Sequence, residues 1–190
     1  MRALGALAAA LAVAGCATVR SGAPVTARTE LKTASGQTVG TASFTELTAG
    51  VRVVLEVRGL PPGQKGVHVH EVGRCEAPGF TSAGGHYNPS ARQHGILNPQ
   101  GPHAGDLPNV TVAPDGTGRL ETTTDRFTLR PGPTSILDAD GSALVVHTGP
   151  DDFRTDPTGN SGGRAACGVI VKEDRAGSAL PRPTGAPGSY

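Results

Sequence analysis

The amino-acid sequence predicts an all-β sandwich with two long functional loops. Three observations carry that expectation. Gly (28 residues) and Pro (16 residues) are abundant, and both punctuate turns and suit helix interiors poorly. Apolar residues recur at period two in short runs, with no amphipathic helix of normal length and no internal repeat. Aromatics make up only 3% and Trp is absent, so the core must come mainly from Val, Leu, Ile and Ala. At 190 residues the chain is long enough for one domain with a real core. A formal charge of +1 with His neutral gives no reason to expect nucleic acid or an acidic membrane surface as a partner.

The N-terminal residues read as a targeting segment rather than fold. Arg2 is followed by the apolar run Ala3 to Ala14, interrupted only by Gly5. That run is too short to span a bilayer as a mature helix, and residues 1–15 are assigned as a signal peptide. Val13-Ala14-Gly15-Cys16 resembles the lipobox of bacterial lipoproteins. The resemblance implies cleavage before Cys16 and lipid on its sulfur and new N-terminus. The protein would then be exported to the periplasmic side of the cell envelope and anchored to a membrane. The alternative is an ordinary signal peptide with a chance Cys near its cut site. Cleavage removes Arg2 and leaves a formal charge near zero, so any steering of an ion must come from local fields.

A lipidated Cys16 also accounts for the odd count of three cysteines. Cys75 and Cys167 remain, and in an oxidising compartment they are expected to pair. The alternative is two buried free thiols. Their separation of 92 positions would give a bridge worth about 4–5 kcal/mol by the chain-entropy model.

Residues 16–23 form a short lipidated tether, and the folded domain is expected over 24–172. Val51 to Val57 reads as a strand with Val51, Val53, Leu55 and Val57 on one face. Gly59 to Gly63 (GLPPG) is a turn, because Pro cannot continue a ladder. Val67 to His70 reads as the next strand, with both Val on one face and both His on the other. Glu71 to Pro108 is a Gly- and Pro-rich loop, and a loop of that length in a compact domain is usually functional. Val110 to Val112, Gly118 to Thr122, Phe127 to Leu129 and Ala143 to His147 read as short strands. Asp115-Gly116 and Asp140-Gly141 mark turns between them. Thr148 to Ala166 is a second long loop, and Cys167 to Val171 is a last, well-buried strand. Residues 173–190, rich in Pro, Gly and Ser, are expected to form a disordered tail.

The six histidines are His68, His70, His86, His94, His103 and His147. A single His is usually a surface or satisfied polar residue, but these form a pattern. His68 and His70 project from one strand face. His86, His94 and His103 share the long loop that has no core of its own, and metal binding would order it. His147 ends a strand, and Asp106 offers an oxygen three residues after His103. Three His and one Asp suit a closed tetrahedral zinc site. Four His without thiolate or Met suit tetragonal Cu(II). The six rings can serve both sites if one bridges the metals through both nitrogens. That ring must lose both protons, which two adjacent cations make possible.

Several segments resemble copper–zinc superoxide dismutases. They are Gly66 to Glu71 (GVHVHE), Gly84 to Pro89 (GGHYNP), His94-Gly95, Gly101 to Asn109 (GPHAGDLPN), Leu144 to His147 (LVVH) and Gly159 to Ile170 (GNSGGRAACGVI). The match runs from about Val25 to Lys172 and follows the bacterial type. The family implies a Greek-key β-sandwich or flattened barrel of about eight antiparallel strands. By that resemblance copper is held by His68, His70, His86 and His147, and zinc by His86, His94, His103 and Asp106. Asp151 matches the carboxylate that joins one copper and one zinc ligand, with neighbouring Asp152 as the alternative. Arg164 matches the arginine that attracts and positions the anion beside copper, and Cys75 and Cys167 match the disulfide pair.

The implied activity is dismutation of superoxide to O₂ and H₂O₂ by a copper redox cycle, with His86 and Arg164 as catalytic residues. His86 would leave copper on reduction, take up a proton and deliver it in the second step. A homodimer is also compatible with the family. The segment from Cys75 to His86, which helps shape subunit contacts and the active-site rim, is short for the bacterial type. The competing reading is a non-catalytic envelope lipoprotein that binds copper and zinc on the same fold. Such a carrier has no need of Arg164 at an open metal position.

Overall fold

A computed structural model describes residues 24–173. The expected signal peptide (1–15), the lipidation site Cys16, the tether (16–23) and the tail beyond Glu173 lie outside the described residues. The strands are β1 (Thr26–Lys32), β2 (Thr38–Leu47), β3 (Gly50–Val57), β4 (Gly63–His70), β5 (Asp106–Val112), β6 (Gly118–Thr124), β7 (Ala143–His147), β8 (Arg164–Val169) and β9 (Val171–Lys172). β9 resumes β8 after a one-residue break at Ile170, whose N–H donates to the Ser142 carbonyl (2.9 Å).

With β8 and β9 taken as one strand, the chain forms a closed antiparallel barrel of eight. The neighbour order is β2-β3-β6-β5-β4-β7-β8-β1, and the β1–β2 pairing closes the ring. The steps from β3 to β4 and from β6 to β7 reach non-neighbouring strands, which makes the path a Greek key rather than a meander. Closure leaves no long unpaired edge.

Alternation sets the inside. On β3, Val51, Val53, Leu55 and Val57 are buried while Arg52 and Glu56 face water. Register carries that face across the sheet, with Phe44 opposite Val53 and Leu55 opposite Leu120. Val67 and Val69 of β4, and Leu144 and Val146 of β7, join the same core. The opposite faces of those two strands carry His68, His70 and His147, and these residues are also buried. Residues 71–105 and 148–163 provide the cover. Phe80, Ala83, Ala143, Val145 and Cys167 form a second apolar cluster under the first of these segments, with Cys75 packed against it. The Cys75–Cys167 disulfide is formed and ties the start of that segment to β8.

Several expectations need correction. β1 and β2 had no strand assigned to them. The first long loop ends at Gly105, because β5 already begins at Asp106. β8 begins at Arg164 rather than Cys167. The last strand is buried on one face only, with Val169 37% and Val171 48% exposed. Phe127–Leu129 is not a strand. Its only bridge is Thr128 to Ser135, and the Glu46 carboxylate takes the Leu129 N–H (2.7 Å) and Thr128 hydroxyl (2.9 Å) that a neighbouring strand would have taken. Glu173, expected in the tail, still donates its N–H to the Thr26 carbonyl (2.9 Å).

Candidate metal centre

The long loop is laid against β4 by backbone pairing. Glu71 N–H donates to Gly85 O (3.0 Å), Tyr87 N–H to Val69 O (2.8 Å) and Gly105 N–H to Tyr87 O (2.8 Å). This places His86 against His68, with ring centroids 3.9 Å apart. β4 and β7 are hydrogen-bonded neighbours, with His68 opposite Val145, so His147 lies diagonally to His68 on the same face at a centroid distance of 4.7 Å. The β7–β8 register sets Arg164 opposite His147. Two backbone carbonyls of the disulfide-tied loop, Phe80 O and Gly84 O (2.6 Å to Nη2), accept from the guanidinium. Gly84 O also accepts from His70 Nδ1 (2.9 Å), so one carbonyl fixes both a ring and the cation.

Two sets of ligand atoms converge. His68, His70, His86 and His147 each offer a nitrogen, all within 4.8 Å of one another. His68 Nδ1, His70 Nε2, His86 Nε2 and His147 Nε2 are buried and have no hydrogen-bond partner. An orphaned buried polar atom is costly, and four aimed at one point in a single wall are the signature of a cation site. The donor set is all imidazole, which suits tetragonal Cu(II).

The second set lies on the other side of the His86 ring. Asp106 Oδ1 is 3.1 Å from His86 Nδ1, 3.0 Å from His94 Nδ1 and 3.5 Å from His103 Nδ1. The Nδ1 atoms of His86 and His103 are 3.5 Å apart. A tetrahedron with ligands at about 2.0–2.1 Å has edges of about 3.3–3.4 Å, so these separations fit zinc. His94 Nδ1 makes no well-directed hydrogen bond to Asp106 despite the short distance, as expected if it points at a shared centre. The four residues whose ligand atoms all lie within 4.8 Å of one another on this side are His68, His86, His94 and Asp106; His103 approaches that group through Asp106 and His86, and His68 Nε2 is committed elsewhere.

That commitment is to Asp151. Its carboxylate accepts from His68 Nε2 (2.7 Å) and His94 Nε2 (2.9 Å), joining one residue of each set. Asp152 is different: exposed, it caps the loop turn through the Arg154 and Thr155 N–H groups (2.9 Å each). Asn109 clamps Asp151 from behind, with reciprocal side-chain to backbone bonds of 2.9 Å. Gly159 lies against the same carboxylate at φ 60°, and a Cβ there would collide with Asp151 Oδ1 and approach His94 Nε2 to 2.6 Å. Three contributors were given no role by the sequence. Asn109 is one, Arg126 donates to the Asp106 backbone carbonyl, and Glu71 accepts the Gly85 N–H (2.9 Å). Their partners are mostly backbone groups, which no residue pattern marks.

Burial sets the proton affinities of the first set. It holds His68 at about 3, His70 at about 2 and His147 at about 4, against an ordinary 6.5, and hydrogen bonds to Asp151, Gly84 and Gly162 oppose it only in part. His86 is lowered by burial too. Burial also acts to lower His94, but the Asp106 and Asp151 carboxylates outweigh it and raise the ring to about 9. Burial acts to raise Asp106, yet the His103, His86 and His94 rings gathered around it and the Gly95 N–H hold it far below the usual carboxylate range.

These shifts set an expected acid response of the metal-stripped protein. Between about pH 6.5 and 4 the unfolded chain gains protons on His68, His70 and His147 that the fold refuses, so stability falls as pH falls. The ceiling is about 1.4 kcal/mol per group per pH unit. His94 acts in the opposite sense: its contribution is full below 6.5 and is lost as pH rises through about 9. Urea midpoints measured across pH 4.5–7 check this, and a flat profile would mean that the three rings are not held neutral.

The copper/zinc superoxide dismutase (SODC) family model matches residues 38–170. The chain belongs to the copper/zinc superoxide dismutase family. It is 45% identical to superoxide dismutase [Cu-Zn] 2 of Aquifex aeolicus over 146 residues, 76% of this chain and 85% of that protein. It is 42% identical to superoxide dismutase [Cu-Zn] of Deinococcus radiodurans over 179 residues, 86% of this chain and 92% of that one. The fold matches the crystal structure of a SOD-like protein from Bacillus subtilis at TM-score 0.73 and 37% identity, over 76% of this chain and 97% of the other. Family membership implies copper and zinc, and the two convergent sets fit that pair of metals.

Proposed function

We propose that this protein dismutes superoxide to O₂ and H₂O₂ at a His86-bridged copper–zinc centre in the cell envelope, held to a membrane by lipid on Cys16. The four orphaned imidazole nitrogens facing one point beside Arg164 carry the reading. His68, His70, His86 and His147 would hold copper. His86, His94, His103 and Asp106 would hold zinc. Copper supplies the one-electron redox chemistry by which two superoxide ions and two protons become O₂ and H₂O₂.

The chain's own residues do the rest. Arg164 draws the anion in and keeps it near His70 and His147, because two backbone carbonyls hold its guanidinium still. Steering of small ions, of which this family is a standing example, changes on-rates by about 10- to 1000-fold. His86 carries the proton: Nδ1 stays in the Asp106 cluster while Nε2 takes up a proton and releases it to the product. Asp151 keeps the His68 and His94 rings oriented. The lipid anchor is supported by the lipobox-like run Val13 to Cys16 and by the pairing of the other two cysteines.

Fold alone does not decide activity, since the Bacillus subtilis match is named only as SOD-like and another match is named as a clock protein. The deciding measurement compares copper- and zinc-loaded protein with its His147→Ala variant. Wild type is expected to dismute superoxide far above the variant, and equal background rates would sink the enzyme reading. Detergent-phase partitioning of wild type against Cys16→Ser tests the anchor, and equal partitioning would exclude it.

A further inference from the structure

Asp156 lies on the second loop, five residues after Asp151, and no role attaches to it so far. A single oxygen of its carboxylate faces two groups. Oδ1 accepts the His94 backbone N–H and lies 3.6 Å from His103 Nε2. The first contact is a hydrogen bond, and the second is a close approach of a carboxylate to a ring nitrogen, longer than a hydrogen bond. The zinc-side rings of His94 and His103 turn Nδ1 toward Asp106, which leaves each Nε2 facing outward. For His94 the outward nitrogen meets Asp151 (2.9 Å). For His103 the carboxylate on that side is Asp156.

We infer that Asp156 is a positioning residue of the zinc half, holding the His94 backbone by a hydrogen bond and facing the outer nitrogen of His103 with its charge at 3.6 Å; this rests on the zinc reading above. A carboxylate behind a metal-bound imidazole fixes the ring and makes its ligating nitrogen more basic. Asp156 is 47% exposed, so solvent screens it and its effect is smaller than that of the buried Asp151. One loop thus grips the zinc ligands at two points. Leu97 N–H to Phe153 O (3.0 Å) and Asn98 Nδ2 to Arg154 O (3.3 Å) fasten the stretch between those points to the first loop.

The test compares copper- and zinc-loaded wild type with Asp156→Asn, Asp156→Ala and Asp156→Glu. The readouts are zinc release to an excess chelator and the absorption spectrum with Co(II) in the zinc site. Asn keeps an oxygen for the His94 N–H and removes the charge facing His103, whereas Ala removes both. Release about tenfold faster in Asp156→Asn, faster still in Asp156→Ala and near wild type in Asp156→Glu is expected, with a shifted Co(II) spectrum in the Asn variant. Wild-type release and spectrum in Asp156→Asn would overturn the inference, whatever the Ala variant does, and leave Asp156 as a loop anchor. His103→Ala separates the two levels. If it holds zinc as wild type does, the zinc reading falls and this inference with it. If it loses zinc while Asp156→Asn does not, this inference falls alone.

Discussion

Replacing Asp151 with Ala is expected to weaken both metal sites at once, by about 10- to 100-fold in affinity each. The variant acts mainly on the ring contacts of the carboxylate. Asn109 holds the Asp151 backbone through its N–H and carbonyl, so the loop keeps its place when the side chain is cut. What is lost is the acceptor for two buried ring N–H groups, on His68 and His94, and for the Phe153 backbone N–H (2.6 Å). Each unsatisfied group costs about 1–3 kcal/mol, and each ring becomes free to turn its ligating nitrogen away. Asp151→Asn should act unevenly. One amide oxygen can accept from one ring, while the NH₂ group meets the other ring donor to donor. One metal is then retained far better than the other. Metal analysis after dialysis against a graded chelator separates the cases, and equal, wild-type retention of both metals in the Ala variant would refute the bridging role.

The residues that carry chemistry were legible in the sequence because metal chemistry concentrates in a few residue types. Six histidines, one Asp three residues after His103 and an Arg three before Cys167 are hard to place otherwise. The β3 strand was legible for a similar reason, since Val51, Val53, Leu55 and Val57 bury large apolar side chains on one face. β1 and β2 bury Ala27, Thr29 and Leu31, and Ala42 and Phe44, among Thr and Ser, so small and hydroxylated residues blur the alternation. Phe127–Leu129 looked like a strand because its side chains are apolar. Its backbone, however, bonds locally to Thr134 and Ile136 at Thr128, and the Leu129 N–H is taken by the side chain of Glu46, a partner distant in sequence. Choosing between Asp151 and Asp152 needed the third dimension. Both are loop acids, and only burial between two rings distinguishes the first. Asp156 and Arg126 were invisible because they act largely on backbone groups.

Removing the disulfide is expected to be the most destabilising change to the metal-stripped protein. Cys75 and Cys167 are 92 positions apart, and freeing a loop of that length costs about 4–5 kcal/mol in the chain-entropy model. That is a large share of the roughly 5–15 kcal/mol that holds a typical domain folded. With a urea slope of about 1–3 kcal/mol per molar, the midpoint of Cys75→Ala/Cys167→Ala should fall by about 1.3–5 M. A fall below about 0.5 M would show that the unfolded chain is not loosened as the model requires. The consequence reaches the active site, because the bridge anchors the segment whose Phe80 and Gly84 carbonyls hold Arg164 and whose Gly84 carbonyl also holds His70. Phe80 and Ala83 pack on Ala143 and Val145 beside the bridge, so apolar contact keeps part of that placement after the sulfurs are gone. Metal binding should then add stability, because the ions bind the folded state and not the unfolded one. At equal affinity the ions add the same stability to both proteins, so the metal-loaded pair is expected to keep the gap of the stripped pair, while the variant still loses rate through a less firmly held Arg164. If loading widened the gap instead, the bridge would be acting through the metal ligands rather than through the unfolded chain.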